Sequence, residues 1–386
     1  MQNFDFLVIG LGGVGSAVCA HLAERGCRVL GLEQFEFVHS LGSSHGESRV
    51  IRQAYFEHPN YVPLLKRAYE LWSELEHVAG EILFRRCGVF LAGSPTGTVV
   101  PGALRSAVEH GIPIEEFSAE EAQIRFPQFR VQPHQRAVFE PNAGLLHVER
   151  CVRAYLHRAD RASAALMQNM PVQSLRIADD HVEVQTSQGW FSARGAILAG
   201  GAWTSSLLPQ LQLPLTVKRK CVSWFPTLQP ERLAVDHCPA FLFEEDDGIF
   251  YGLPSLDQAT IKLAEHTGGE VVTTPDSVDR EVHPEDLTRL TQFAERSFWD
   301  VAPVPARSSV CLYTMTPDQN FLVASLPNHP HVITVAGLSG HGFKFASVLG
   351  EVAADLAMNQ KSPLPVDFLS WRETLPATPA PLELPS

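Results

Sequence analysis

Residues 6–33 constrain what this chain folds into more than any other stretch. Phe6-Leu7-Val8-Ile9 is a short continuous apolar run, the pattern of a strand buried on both faces of a parallel sheet. Gly10-Leu11-Gly12-Gly13-Val14-Gly15 follows, then Ala17, Val18 and Leu22 at helical spacing, then Gly26 as a helix stop. A second strand, Arg28-Val29-Leu30-Gly31-Leu32, ends on Glu33. Strand, glycine turn, helix, strand and terminal acid together form a dinucleotide-binding βαβ unit. Gly10 permits the tight turn, Gly12 lets the backbone approach a pyrophosphate, and Gly15 lets helix and strand pack closely. Glu33 would accept from ribose hydroxyls and repel a 2′-phosphate, which points to an adenine dinucleotide.

The remainder reads as a second layer built around that unit. A loop of Ser, Gly and His runs from Ser40 to Ser48. An amphipathic helix then begins near Asn60, with Tyr61, Leu64, Leu65, Ala68, Leu71, Trp72 and Leu75 on one stripe. The strand-like run 191–199 enters Gly200-Gly201-Ala202-Trp203, and 249–253 and 260–265 read as two strands joined by a polar turn. Val332 to Ala336 is another buried strand, followed by Gly337-Leu338-Ser339-Gly340-His341-Gly342 and a helix to about Met358. A strand-glycine-helix unit therefore closes the chain as one opens it. The expected fold class is α/β, with a discontinuous nucleotide domain from residues 1–85, 145–215 and 305–375. A substrate domain would come from 86–144 and 216–304, and a Pro-rich tail from 376–386.

Composition narrows the partners. With 30 basic and 43 acidic residues the net charge is −13, which disfavours nucleic acid and anionic membranes. No apolar run approaches the roughly 18 residues of a membrane-spanning helix. The seven cysteines are scattered and form no CxxC pair, so neither a disulfide framework nor a metal site is indicated. A cytoplasmic protein with reduced thiols is the expectation.

Several residues carry chemistry beside an ordinary reading. Ser309, Cys311 and Tyr313 share one face of a strand, and a lone strand cysteine ordinarily reads as a small buried hydrophobe. Lys262 and His266 sit on one face of another strand, on the order of 13 Å apart. There a lysine reads either as an edge-strand guard or as a fixed cation facing a cofactor. Arg49 and Arg52 follow the His45-Gly46 turn. Surface ion pairing is the default for both, and bidentate capture of a substrate carboxylate is the functional reading. Lys344, placed in the first turn of the closing helix, opposes the helix dipole, and that local cost suggests an anion site.

Taken together these segments resemble the monomeric sarcosine oxidase and N-methyl-L-tryptophan oxidase family. Gly10–Gly15, Ser43–Arg52, Gly201-Ala202-Trp203, Lys262–His266, Cys311–Thr314 and Gly337–Lys344 occur in the family's order, across Asp5 to about Trp371. The resemblance implies a Rossmann-like FAD-binding domain beside a substrate domain on a large mixed sheet. It implies FAD attached through a thioether at Cys311, and contacts to the cofactor from Ser43, His45, Arg49, Val172, Gly340 and Gly342. It also implies a monomer that oxidises a secondary amino acid with O₂, releasing formaldehyde and hydrogen peroxide. Pipecolate-like, proline-like or fructosyl substrates are alternatives, with a nicotinamide-dependent dehydrogenase behind them. Arg52 and Lys344 match the family's carboxylate-binding pair and Lys262 the lysine where oxygen is reduced. His266, Tyr251 and Tyr313 match residues around the substrate. One loop departs from the pattern. The family's Ser-His-His-Gly-Asp-Thr-Arg is here Ser43-Ser44-His45-Gly46-Glu47-Ser48-Arg49, so cofactor contacts there are expected to shift.

Overall fold

The opening apolar run forms the strand Gln2–Ile9, at the centre of an eight-stranded sheet. The computed structural model describes residues 2–372, so the tail 376–386 lies outside the described residues. Gln2–Ile9 pairs in parallel with Val29–Leu32 on one side and with Gly189–Leu198 on the other. The chain crosses between the first two strands through the helix Gly13–Glu24, which stops at Gly26 with φ +82°. Gly15 is obligatory there: a Cβ would lie 1.8 Å from the Gly10 carbonyl oxygen. The closing unit adds His329–Ala336 in parallel beside Gly189–Leu198. Its helix, Ala346–Asn359, crosses the opening helix so closely that a Cβ on Gly350 would fall 2.5 Å from that of Ala17. Lys344 precedes this helix, in the 3₁₀ turn Phe343–Phe345, instead of occupying the first α-turn expected from sequence.

The second sheet has nine strands, with Thr216–Pro226 as its hub. That strand pairs antiparallel with Thr260–Glu265, Glu270–Val272 and Arg307–Met315. The register sets Trp224 opposite both Lys262 and Arg307. One face is closed by an aromatic core that includes Phe90, Phe129, Phe241, Phe243, Phe250 and Phe293. The strand bearing Cys311 thus hydrogen-bonds within the second sheet, although its residues fall in a segment expected of the nucleotide unit. His266 lies one residue beyond the end of Thr260–Glu265, so it is free of the alternation that orients Lys262.

A small third sheet joins the layers. Ser48–Ile51 pairs with Gly144–His147, which also pairs with Phe84–Arg85. The helix Val62–Ala79 buries the predicted stripe from Leu64 to Leu75 and ends at Gly80 with φ +68°. No helix among the described residues is long and apolar enough to cross a membrane.

Candidate active site

A cavity of about 400 Å³ runs between the two large sheets. Gly10, Gly12, Glu33, Val172 and Trp203 line one end; Arg52, Glu57, His266, His341 and Lys344 line the other. At the first end the carboxylate of Glu33 accepts from the backbone N–H of Leu11 at 2.8 Å and of Phe35 at 3.1 Å. It therefore holds the glycine turn in shape as well as facing the cavity. Ser44, the residue that departs from the family loop, accepts from the Gly13 N–H at 3.0 Å and ties the 40–48 loop to the same turn.

Cys311 lies between the two ends, buried on Arg307–Met315. Arg49 Nη2 lies 3.4 Å from its Sγ and also donates to the Ser43 carbonyl at 3.1 Å. Burial alone would push the Cys311 thiol up, but Arg49 and a hydrogen bond from His45 outweigh it, and the pKa falls to about 6. His45 is itself buried, and its Nε2 has no protein partner. Ser43 fastens the loop to this strand through its hydroxyl, which donates to the Leu312 carbonyl at 2.5 Å.

At the far end two cations face one carboxylate. Arg52 Nη2 donates to both Glu57 carboxylate oxygens at 2.8 and 2.7 Å and Nη1 to the Ala54 carbonyl at 2.9 Å, with Tyr55 and Phe56 against its guanidinium. Lys344 Nζ donates to the His341 carbonyl at 2.8 Å. Burial and then the Arg52 charge bring the Lys344 ammonium down to about 7. Burial would raise Glu57, but Arg52, His341 and Lys344 prevail and hold it at about 2. His341 Nε2 sits 3.0 Å from the Gln319 carbonyl oxygen, an acceptor, so Nε2 carries the proton and Nδ1 accepts from the Tyr55 hydroxyl. Burial depresses His341 to about 4, so it is neutral near pH 7. Two cations against one anion leave a positive charge uncompensated, which is what a ligand carboxylate would supply.

Tyr251 and Tyr313 lie beside this end, their hydroxyls pushed up by burial. His266 packs at 5.8 Å from the Tyr313 ring and burial lowers it to about 3. Lys262 is placed differently. It does not line the cavity; its ammonium donates to the Gly46 carbonyl at 2.8 Å and to the Ser48 carbonyl, behind the segment that carries Arg49.

Residues 5–356 match the model of the FAD dependent oxidoreductase family. The chain is 39% identical over 386 residues to monomeric sarcosine oxidase of Streptomyces avermitilis, covering 98% of this chain and 99% of that protein. It is 36% identical to N-methyl-L-tryptophan oxidase of Yersinia pestis, covering 96% and 99%. The chain belongs to the FAD-dependent oxidoreductases. In fold it is similar to NikD, described as an unusual amino acid oxidase essential for nikkomycin biosynthesis, with a TM-score of 0.86 at 23% identity. That alignment covers 98% of this chain and 100% of the other.

An FAD-dependent oxidoreductase needs a cradle for the pyrophosphate and polar groups held ready for the flavin, and the residues present fit. Side chains at Gly10 or Gly15 would collide with neighbouring carbonyls, and buried His45, which interacts with Cys311, keeps an Nε2 without a protein partner. The family match also removes the nicotinamide-dependent alternative. The cavity brings together every site residue singled out from sequence except Gly15, His45 and Lys262, which stand behind its wall. Sequence reasoning missed Glu57, Tyr55 and His341. Glu57 lies in an irregular segment with no periodicity to place it, whereas His341 between Gly340 and Gly342 was a usable signal.

Proposed function

We propose that this chain oxidises a small secondary amino acid, of the sarcosine or N-methyl-L-tryptophan kind, with FAD as cofactor and O₂ as electron acceptor. The observation that carries the proposal is the Arg52–Lys344 pair, with its uncompensated positive charge, at the opposite end of one cavity from a glycine cradle. Gly10 and Gly12 would hold the pyrophosphate, with Gly15 keeping the turn closed behind them, Glu33 at the ribose and Val172 beside the adenine. Ser43, Arg49, Gly340 and Gly342 would surround the flavin, which Cys311 would hold covalently. The thiolate that Arg49 and His45 favour is the nucleophilic form needed for such a bond.

FAD, when bound, supplies the two-electron acceptor for a C–H bond and returns the electrons to O₂ as hydrogen peroxide. The protein's part is placement and charge. A substrate carboxylate lies against Arg52 and Lys344 beside Glu57, which fixes the amino group relative to Tyr251, Tyr313 and His266. His266, neutral at working pH, adds no charge that would oppose a developing iminium. Arg52 and Lys344 lower the pKa of the bound amine, so more of it is in the neutral form that gives up a hydride equivalent. Lys262 contributes a fixed positive charge where oxygen is reduced. An N-methyl amino acid, O₂ and water become the free amino acid, formaldehyde and hydrogen peroxide.

Anaerobic mixing with secondary amino acids tests this directly. Bleaching of the flavin band by sarcosine, N-methyltryptophan or a congener is expected, and its absence across the panel would sink the substrate class. Lys262→Met is expected to leave flavin reduction largely intact and slow reoxidation severely; equal slowing of both steps would remove its assigned role. We also propose a monomer, to be checked by sedimentation.

A further inference from the structure

Lys262 is held by its surroundings in a way that the cavity residues do not explain. Its two acceptors, the carbonyls of Gly46 and Ser48, flank a turn in which Gly46 has φ +90° and Glu47 has φ +70°. A glutamate in the left-handed region is unfavourable and persists only when neighbouring groups impose it. Those neighbours are visible. Glu149, in the first turn of the helix Val148–Arg161, accepts from the Gly46 N–H at 2.6 Å and from the Glu47 N–H at 3.1 Å. The Glu47 side chain reaches outward to accept from Trp224 Nε1 at 2.9 Å and from Arg307. Trp224 in turn carries Arg307 over its ring at 3.7 Å and Lys262 at 5.8 Å.

We propose that Glu149 is a positioning residue for Lys262: its carboxylate clamps the left-handed Gly46–Glu47 turn, so that two carbonyls of that segment hold Lys262 Nζ in place with the Glu149 charge facing it. The inference rests on the reading of Lys262 as the cation at the oxygen side. The carboxylate acts twice, through geometry and through charge. Lys262 is faced by Arg49 from Ser48–Ile51, by Cys311 from Arg307–Met315, by Glu47 from the turn and by Glu149, with Arg307 beyond the Trp224 indole. Burial, and then Arg49, brings Lys262 well below the usual lysine range, and Glu149, Glu47 and the Cys311 thiolate oppose that fall. Glutamine at 149 would keep an acceptor for both N–H groups and lose the charge; alanine would lose both.

The two variants separate these effects in the holoenzyme. Glu149→Ala is expected to speed amide hydrogen exchange at Gly46 and Glu47, and to slow reoxidation about tenfold more than flavin reduction. Glu149→Gln is expected to keep those amides protected, yet to move the alkaline limb of reoxidation down by about one pH unit, a tenfold shift in the protonation equilibrium. Parental exchange, reoxidation rate and pH limb in both variants, beside a slowed Lys262→Met enzyme, would overturn the proposal. If Lys262→Met itself reoxidises normally, the oxygen role of Lys262 fails and this inference falls with it. The exchange data would still report whether the clamp exists.

Discussion

Cys311 and Lys344 are both buried, and burial acts on them in opposite directions, raising a thiol and lowering an ammonium. Neighbouring charge reverses the effect of burial at Cys311 and adds to it at Lys344. Beside Cys311 the Arg49 guanidinium prevails and the thiol falls to about 6; beside Lys344 the Arg52 guanidinium adds to burial and the ammonium falls to about 7. Covalent attachment of FAD to the reconstituted apoprotein should therefore be rapid at pH 7 and slow as pH falls through about 6. Arg49→Gln should push that limb to higher pH, and Cys311→Ser should release its flavin on acid precipitation. The carboxylate pair gives the opposite pH sense. Lys344 is a cation below about 7, so binding of a carboxylate inhibitor should weaken as pH rises through 7, and Lys344→Met should flatten that limb. Arg52→Lys loses the planar fork and should weaken inhibitor binding by about 2 kcal/mol, within the range for a charged hydrogen bond. Arg52 and Lys344 were singled out because the loops that carry them resemble those of the family. Glu57 was not, because it is set by an irregular loop whose course only the folded chain shows.

Among elements, the opening and closing helices were both legible, yet their contact was not. A glycine inside a helix normally costs stability, so Gly350→Ala ought to gain about 1 kcal/mol on propensity alone. Here the added methyl would meet Ala17 Cβ at 2.5 Å and its carbonyl carbon at 2.9 Å. Neither atom is the end of a flexible side chain, so the helices must separate, at a cost of about 1–3 kcal/mol. The net expectation is destabilisation, with looser FAD retention because Gly13 opens one of these helices and Lys344 lies in the turn that leads into the other. Thermal unfolding of Gly350→Ala measures the sign, and a rise in midpoint would mean the helices shift freely. The same limit applies to the strand Arg307–Met315: alternation placed Cys311 and Tyr313 on one face, but pairing with Thr216–Pro226 belongs to long-range register. Local sequence shows period and caps, and leaves open which partner a strand finds.

At the scale of the whole molecule, the site is assembled from four separated stretches, residues 9–57, 152–207, 242–276 and 311–346. FAD binding should therefore couple the two large sheets. Acid stability has a separate origin, in histidines that burial keeps from taking a proton: most of all His21 at about 4, His266 at about 3 and His341 at about 4, with His147 and His331 lowered as well. In the unfolded chain each would titrate near 6.5. Between pH 6.5 and about 4 the unfolded state binds protons that the folded state does not, so stability is present above 6.5 and is lost as pH falls. Three such groups give a slope of up to about 4 kcal/mol per pH unit. His21 isolates the effect, because it sits on the opening helix against Tyr155 and does not line the cavity. Chemical denaturation of the holoenzyme at pH 7, 6 and 5 should show the midpoint falling steeply. In His21→Gln the slope should drop by up to about 1.4 kcal/mol per pH unit, whatever the substitution costs at pH 7, since one proton no longer enters. A midpoint that stays level from pH 7 to 5 would mean these histidines find protons in the folded state, through water or through local opening.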